Sequence, residues 1–270
     1  MPDFLLHLLV ALLYLSVAVD FWRTAQAGTA DGRAAWHTPA VAVGLALHGG
    51  LLYCALFGAG GLNLGLVNAL SAIFWLTALI YWLANLQLAL HSLQAFVLPP
   101  AALFVLLQKL APGTHVLPYA AEPFFLLHLA IAMLAYSLFT FAALHALLMA
   151  VAERSLHRQS TFFKLPDFPP LIAMETLLFQ VIGAGFVLLT LTLASGMLFS
   201  EQLFHKALQF NHKNIFTIIS WLIFGALLWG RRIHGWRGRT AIRWTLSGFA
   251  VLLLAYVGSK FVLEILLHRV

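Results

Sequence analysis

Eight stretches of this chain stay apolar long enough to cross a bilayer core of about 30 Å, which takes roughly 20 helical residues. They are 4–22, 38–57, 66–86, 92–110, 124–151, 171–199, 214–230 and 241–267. In a chain of 270 residues, 62% hydrophobic and only 9% charged, this succession excludes an ordinary soluble core. The expected fold is all-α: a single integral-membrane domain over 1–270 with eight transmembrane helices. The first stretch, MPDFLLHLLVALLYLSVAVDFW, has neither a basic leader nor a small-residue cleavage site and reads as a retained first helix. Pro99-Pro100 interrupts the fourth, so that helix is expected to be kinked and packed against neighbours that satisfy the freed carbonyls.

Charge sets an expected orientation. Assigned to alternating loops, ten Lys and Arg fall on one side: Arg23, Arg33, Arg154, Arg158, Lys164, Arg231, Arg232, Arg237, Arg239 and Arg243. Four fall on the other: Lys109, Lys206, Lys213 and Arg269. The positive-inside rule then puts the first group in the cytoplasm and both termini outside, in a bacterial inner membrane. RRIHGWRGR (231–239) is the strongest anchor, read first as a topology determinant and second as a surface for anionic lipid or a partner. The formal charge of +6 sits at segment ends, which suits loop orientation better than nucleic-acid binding.

The polar residues inside apolar runs are the candidates for function. His37, His115, His157, His234 and His268 read as solvated loop or interface side chains. His7, His91 and His145 sit at or near span ends, where snorkelling suffices. His48 falls near the middle of the second span, where an ionisable group must face the bundle interior. It is either a neutral imidazole bonded to a neighbouring helix, with Gly49-Gly50 allowing close packing, or an axial ligand to a haem iron. His128 begins the fifth span, with Tyr136 eight residues further along roughly the same face.

Between spans six and seven lies FHKALQFNHKN (204–214). His205 and His212 are seven apart, nearly one above the other if the connector is a short amphipathic helix in the external interface. That surface is either a lipid-facing helix or a platform for a planar anionic ligand, with Phe204 and Phe210 beneath, imidazoles at the metal and Lys213 for carboxylates. Two imidazoles from different helices make a low-spin bis-histidine haem site, so His128 with His205 or His212 is one such pairing. Lys260, four residues before Glu264, either pairs with it or meets a propionate.

Cys54 is the sole cysteine, so the chain has no disulfide framework, no CxxC pair and no CxxCH haem-attachment site. No HExxH, GxSxG or P-loop occurs, which leaves hydrolase and NTPase chemistry without a basis. Solute transport rests only on His48, Glu175 and the Lys260–Glu264 pair, with no inverted repeat.

GAGFVLLTLTLASG (183–196), the external connector and FTIISWLIFGALLWGRR (216–232) together resemble the heart of the CcsA/HemX cytochrome c assembly family, most closely its small YpjD-type branch. GLVNALSAIFWLTALIYWL (65–83) looks like the family's third helix, with Asn68, Ser71 and Trp75 in the usual places. FFLLHLAIAMLAYSLFTFAALHALL (124–148) is similar to the helix whose outer histidine is a family haem ligand, which falls on His128. His48 takes a position like the family's intramembrane histidine. The family's tryptophan-rich signature aligns with LFHKALQFNHKNI, where Phe204, Leu208 and Phe210 replace tryptophans and only Lys213 persists. The family histidine closing the next helix falls on Trp229, and the one in the last helix falls near Tyr256 to Lys260.

The resemblance implies a haem-handling protein that presents b-type haem at the external face, with an apocytochrome or another membrane protein as partner. It implies no enzyme activity beyond that of a haem-lyase-like assembly factor. The replaced residues motivate the other reading, a non-haem membrane scaffold or regulator that kept the fold.

Overall fold

The computed structural model describes residues 2–27, 34–58, 61–88, 90–111, 116–117, 122–158, 170–204 and 212–258. Among these, eight α-helices follow one another: α1 (Pro2–Ala27), α2 (His37–Phe57), α3 (Leu66–Leu88), α4 (Gln94–Leu110), α5 (Pro123–Arg158), α6 (Leu171–Phe204), α7 (His212–His234) and α8 (Gly238–Leu253). The only β-type pairing among the described residues is an isolated bridge between Asn63 and Val116. Seven spans, one in each of α1 to α7, are long and apolar enough to cross a membrane. The expected eighth span is helical to Leu253, runs on through a π-turn over Leu254–Gly258, and then leaves the described residues. The connector 205–211, expected to be amphipathic, also lies outside them.

The chain forms two compact units. The first comprises Met1–Val116 and Leu147–Met174. Here α1 packs on α2 and α4, and α3 packs on α2 and α4. Apolar side chains at helical spacing fill the core: Val10, Tyr14, Val17 and Phe21 of α1, and Leu98, Ala101, Ala102 and Val105 of α4. α4 runs through Pro99 and Pro100 with the residues on either side fully buried, as the packed reading of that helix requires. Phe74 and Phe104 stack at 4.9 Å between α3 and α4. Gly44 lets α1 approach α2: a Cβ there would stand 2.6 Å from a Tyr14 ring carbon.

The second unit comprises Leu117–Ala146 and Glu175–Val270. Its centre is a stack of Phe139 on Phe224, with ring centroids 4.0 Å apart. Gly185 and Gly248 lie against this pair, at positions where a Cβ would come within 3.1 Å and 2.9 Å of the rings. Phe186 stacks on Trp221 at 5.4 Å, and the indole donates to Thr190 Oγ1 at 2.8 Å. Small and bulky residues of GAGFVLLT thus interdigitate with SWLIFG of α7. α7 and α8 form a hairpin whose turn uses Gly235 (φ 64°) and Gly238 (φ 53°), both in the left-handed region that glycine enters without a steric penalty.

Candidate functional site

In the second unit, the start of α5, the end of α6 and the start of α7 bring together the described residues of the candidate site. His128 is partly buried, and its Nδ1 lies 2.7 Å from Ser195 Oγ. Ser195 spends its own proton on carbonyls of the preceding turn, Leu191 O at 2.7 Å and Thr192 O at 3.2 Å. Its oxygen is therefore the acceptor and His128 the donor. That fixes the Nδ1–H tautomer and leaves the lone pair on Nε2, the arrangement that a hydrogen-bonded second partner gives to metal-binding histidines. A Cβ on Gly196 would lie 3.5 Å from His128 Cε1, so the ring rests beside bare backbone.

Lys213 lies within electrostatic reach of His128 and places its Nζ 5.7 Å from the centre of the Tyr256 ring. Tyr256 in turn packs on Tyr136 with centroids 5.6 Å apart. Tyr256 was reached by sequence only as the place of a missing family histidine. The structure makes it part of this constellation. His205, Phe210 and Lys260 lie outside the described residues. Phe204 closes α6 and His212 opens α7, but their side chains also lie outside them.

His48 belongs to the first unit and is fully buried, with 0% exposure. Its Nε2 meets Ser71 Oγ at 3.0 Å. Ser71 donates to Gln108 Oε1 at 3.5 Å, Gln108 to Asn68 Oδ1 at 3.4 Å, and Asn68 to the Asn63 carbonyl at 3.2 Å. A buried N–H without an acceptor is costlier than a bare lone pair, so His48 donates from Nε2 to Ser71 and carries its lone pair on Nδ1. That nitrogen has no hydrogen-bond partner among the described residues, nor has the hydroxyl of Tyr14, whose ring lies edge-on to the imidazole at 5.9 Å. Trp75 donates to the Leu45 carbonyl at 2.8 Å and lies against Gly49, whereas Gly50 has nothing within 4 Å.

His37 is not the solvated interface residue expected from its place beside a loop. It is 3% exposed, with Nε2 3.0 Å from Asp20 Oδ2. Gln94 donates to its Nδ1 at 3.2 Å, and Tyr81 donates to Gln94 Oε1 at 3.3 Å. The physical reason is topology: the end of α1, the start of α2, the end of α3 and the start of α4 converge on this residue. His145 is also fully buried rather than at a wet span end, stacked beside Phe141 at 6.1 Å.

At the opposite end of the second unit from His128, Glu175 ties three helices together. Its carboxylate pairs with Arg231 of α7, lies 3.6 Å from Arg237 Nε, and accepts from the Gly238 amide at the start of α8 at 3.3 Å. Arg231 also lies over the Phe179 ring at 4.7 Å and donates to the Trp236 carbonyl at 3.3 Å.

No group of three or more His, Cys, Asp or Glu placed to hold a bare metal ion occurs among the described residues. A haem, which brings four of its own iron ligands, asks only for isolated imidazoles. His128, with its tautomer set by Ser195, fits that demand.

The family model described as "Cytochrome C assembly protein" matches residues 36–267. The chain is 29% identical over 209 residues to "Inner membrane protein YpjD" of Escherichia coli (strain K12), covering 77% of this chain and 78% of that protein. It is 31% identical over 267 residues to "Uncharacterized 28.8 kDa protein in nifR3-like 5'region" of Azospirillum brasilense, covering 96% of each. It is 30% identical over 179 residues to "Cytochrome c biogenesis protein CcsA" of Prochlorococcus marinus (strain MIT 9515), covering 59% of this chain and 57% of that one. No solved structure matches. With the helices, the hydrogen-bonded histidines and the match over most of its length, the chain is a membrane protein that belongs to the cytochrome c assembly protein family.

Proposed function

We propose that this protein handles haem during cytochrome c assembly, holding b-type haem at the end of the second unit that carries His128. The observation that carries the reading is the His128–Ser195 hydrogen bond, which ties one ring nitrogen of a partly buried imidazole to a neighbouring helix, as in metal-binding histidines. His205 or His212 is the second ligand, Phe204 and Phe210 flank the macrocycle, and Lys213 and Lys260 meet its carboxylates. His48 is a further ligand within the bilayer. A bound haem supplies reversible one-electron iron chemistry; the protein's part is to bind, orient and release it. With the arginine-rich turn cytoplasmic, the His128 end and both termini lie outside, where an apocytochrome could take the haem. The reading requires no protein nucleophile.

The test is the absorption spectrum of the purified protein. A Soret band with sharp reduced α and β bands, lost in His128→Ala, is expected. A protein that stays colourless after reconstitution with haem overturns the reading and leaves the scaffold, for which the family histidines missing at Trp229 and near Tyr256 to Lys260 speak.

A further inference from the structure

We infer that the turn between α7 and α8 is a binding site for the headgroup of an anionic phospholipid, beyond its role in setting orientation. The turn is rigidly built. Arg231 is drawn inward by Glu175 and the Trp236 carbonyl. Trp236 folds over Gly230, where any Cβ would collide with the indole, and packs on Trp244 at 5.0 Å. The nearby carboxylate is thereby consumed inside the turn, and the segment 229–243 contains no acidic residue of its own.

What remains outside is cationic. Arg232, Arg237, Arg239 and Arg243 are exposed, as is His234. Arg232 and Arg243 have no carboxylate partner among the described residues. Arg239 and Arg243 are four apart on α8, so their guanidinium groups sit one above the other on one helix face. On α7, Trp229 (67% exposed) and Ile233 (56% exposed), four apart, share one helix face, and Arg232 borders it. An apolar strip leading into a fork of guanidinium groups matches a ligand that is part hydrocarbon and part phosphate. Guanidinium grips phosphate in bidentate fashion, and the indole favours the level of the headgroups. A lipid, unlike a soluble phosphate, brings hydrocarbon to the exposed Trp229 and Ile233 beside the arginines, and we take it as the occupant.

Native mass spectrometry of the full chain in neutral detergent tests this by titrating phosphatidylglycerol and phosphatidylcholine. We expect preferential retention of phosphatidylglycerol, weakened about tenfold or more in R239Q/R243Q, since each arginine near a membrane surface contributes on the order of 1 kcal/mol. R239K/R243K keeps the charge but loses the bidentate fork and should fall between the parent and R239Q/R243Q, and Lys109→Gln, at a different segment end, should leave the preference unchanged. Each variant is compared at matched monodispersity and thermal midpoint in phosphatidylcholine, so that a folding defect is read separately. Equal affinity of R239Q/R243Q and the parent for phosphatidylglycerol overturns the proposal and assigns the arginines to orientation or a protein partner. Displacement of the lipid by glycerol phosphate at equal concentration overturns it too, because the site would then be one for free phosphate.

Discussion

Asp20 and His37 stand 17 residues apart in the chain and 3.0 Å apart in space, joining the end of α1 to the start of α2. The imidazole is enclosed while the carboxylate is about a quarter exposed, so the bond is directional rather than a wet surface contact. Asp20→Asn keeps an acceptor for the imidazole N–H and should change stability little. Asp20→Leu strands a buried donor and should cost about 1–3 kcal/mol. Thermal unfolding in detergent separates the two, and equal losses in both would refute a hydrogen-bonding role.

The His48–Ser71 bond makes a sharper prediction, because both partners are fully buried. Ser71→Ala leaves the imidazole N–H unsatisfied and should cost roughly 1–3 kcal/mol, whereas removing both polar groups relieves that penalty. The double variant H48L/S71A should therefore be less destabilised than the sum of the single variants. Simple additivity in the cycle would show that the two side chains do not depend on each other.

Two glycines of α2, Gly44 and Gly50, should respond oppositely. Gly44→Ala drives a methyl into the Tyr14 ring and should destabilise by about 1–3 kcal/mol, as overpacking does. Gly50→Ala meets open space and should be neutral or stabilising by up to about 1 kcal/mol from helix propensity. A Gly44→Ala protein as stable as Gly50→Ala would mean that α1 and α2 are not held this closely.

Glu175 should matter far more than one of its partners. Its removal as Glu175→Ala leaves Arg231, which is partly buried, without a counter-charge and strips the acceptor from the start of α8. A loss of about 1–3 kcal/mol is expected after allowing for partial solvation. Arg237, with a side chain 69% exposed, should contribute almost nothing, and Arg237→Ala serves as the comparison. Similar unfolding midpoints for the two variants would contradict the geometry.

For haem, Ser195→Ala should weaken binding about 10- to 100-fold, the usual effect of losing the partner that orients a ligating histidine. His128→Ala should abolish the spectrum instead. Titration of the apoprotein with haem, followed at the Soret band, distinguishes these outcomes. Unchanged affinity in Ser195→Ala would remove the hydrogen bond from the mechanism.

The helices were legible because apolar runs of spanning length leave little choice of structure, and all eight expected stretches fall in helices as far as they are described. His48 was legible as a residue in need of a partner, since its depth along α2 follows from counting turns. What counting cannot supply is which residue answers it. Ser71 and Gln108 come from α3 and α4 and meet only when those helices pack. His37 was misread for the same reason. Proximity to a loop suggested water, but four helix ends close over it. Ser195 gave no signal beyond its place in the GAGFVLLTLTLASG motif, because its pairing with His128 spans 67 residues.

The chain of bonds from His48 to Asn63 has a direction. Every donor along it faces the same way, and it ends on a backbone carbonyl, which can only accept. Aligned bonds of this kind polarise one another, with the positive pole at the Asn63 end and the negative pole at the Nδ1 lone pair of His48. The row also cannot be inverted by turning one side chain, since its last acceptor has no proton to give back. A helix macrodipole is fixed by the backbone; this one is fixed by four side chains, and single substitutions should set its strength.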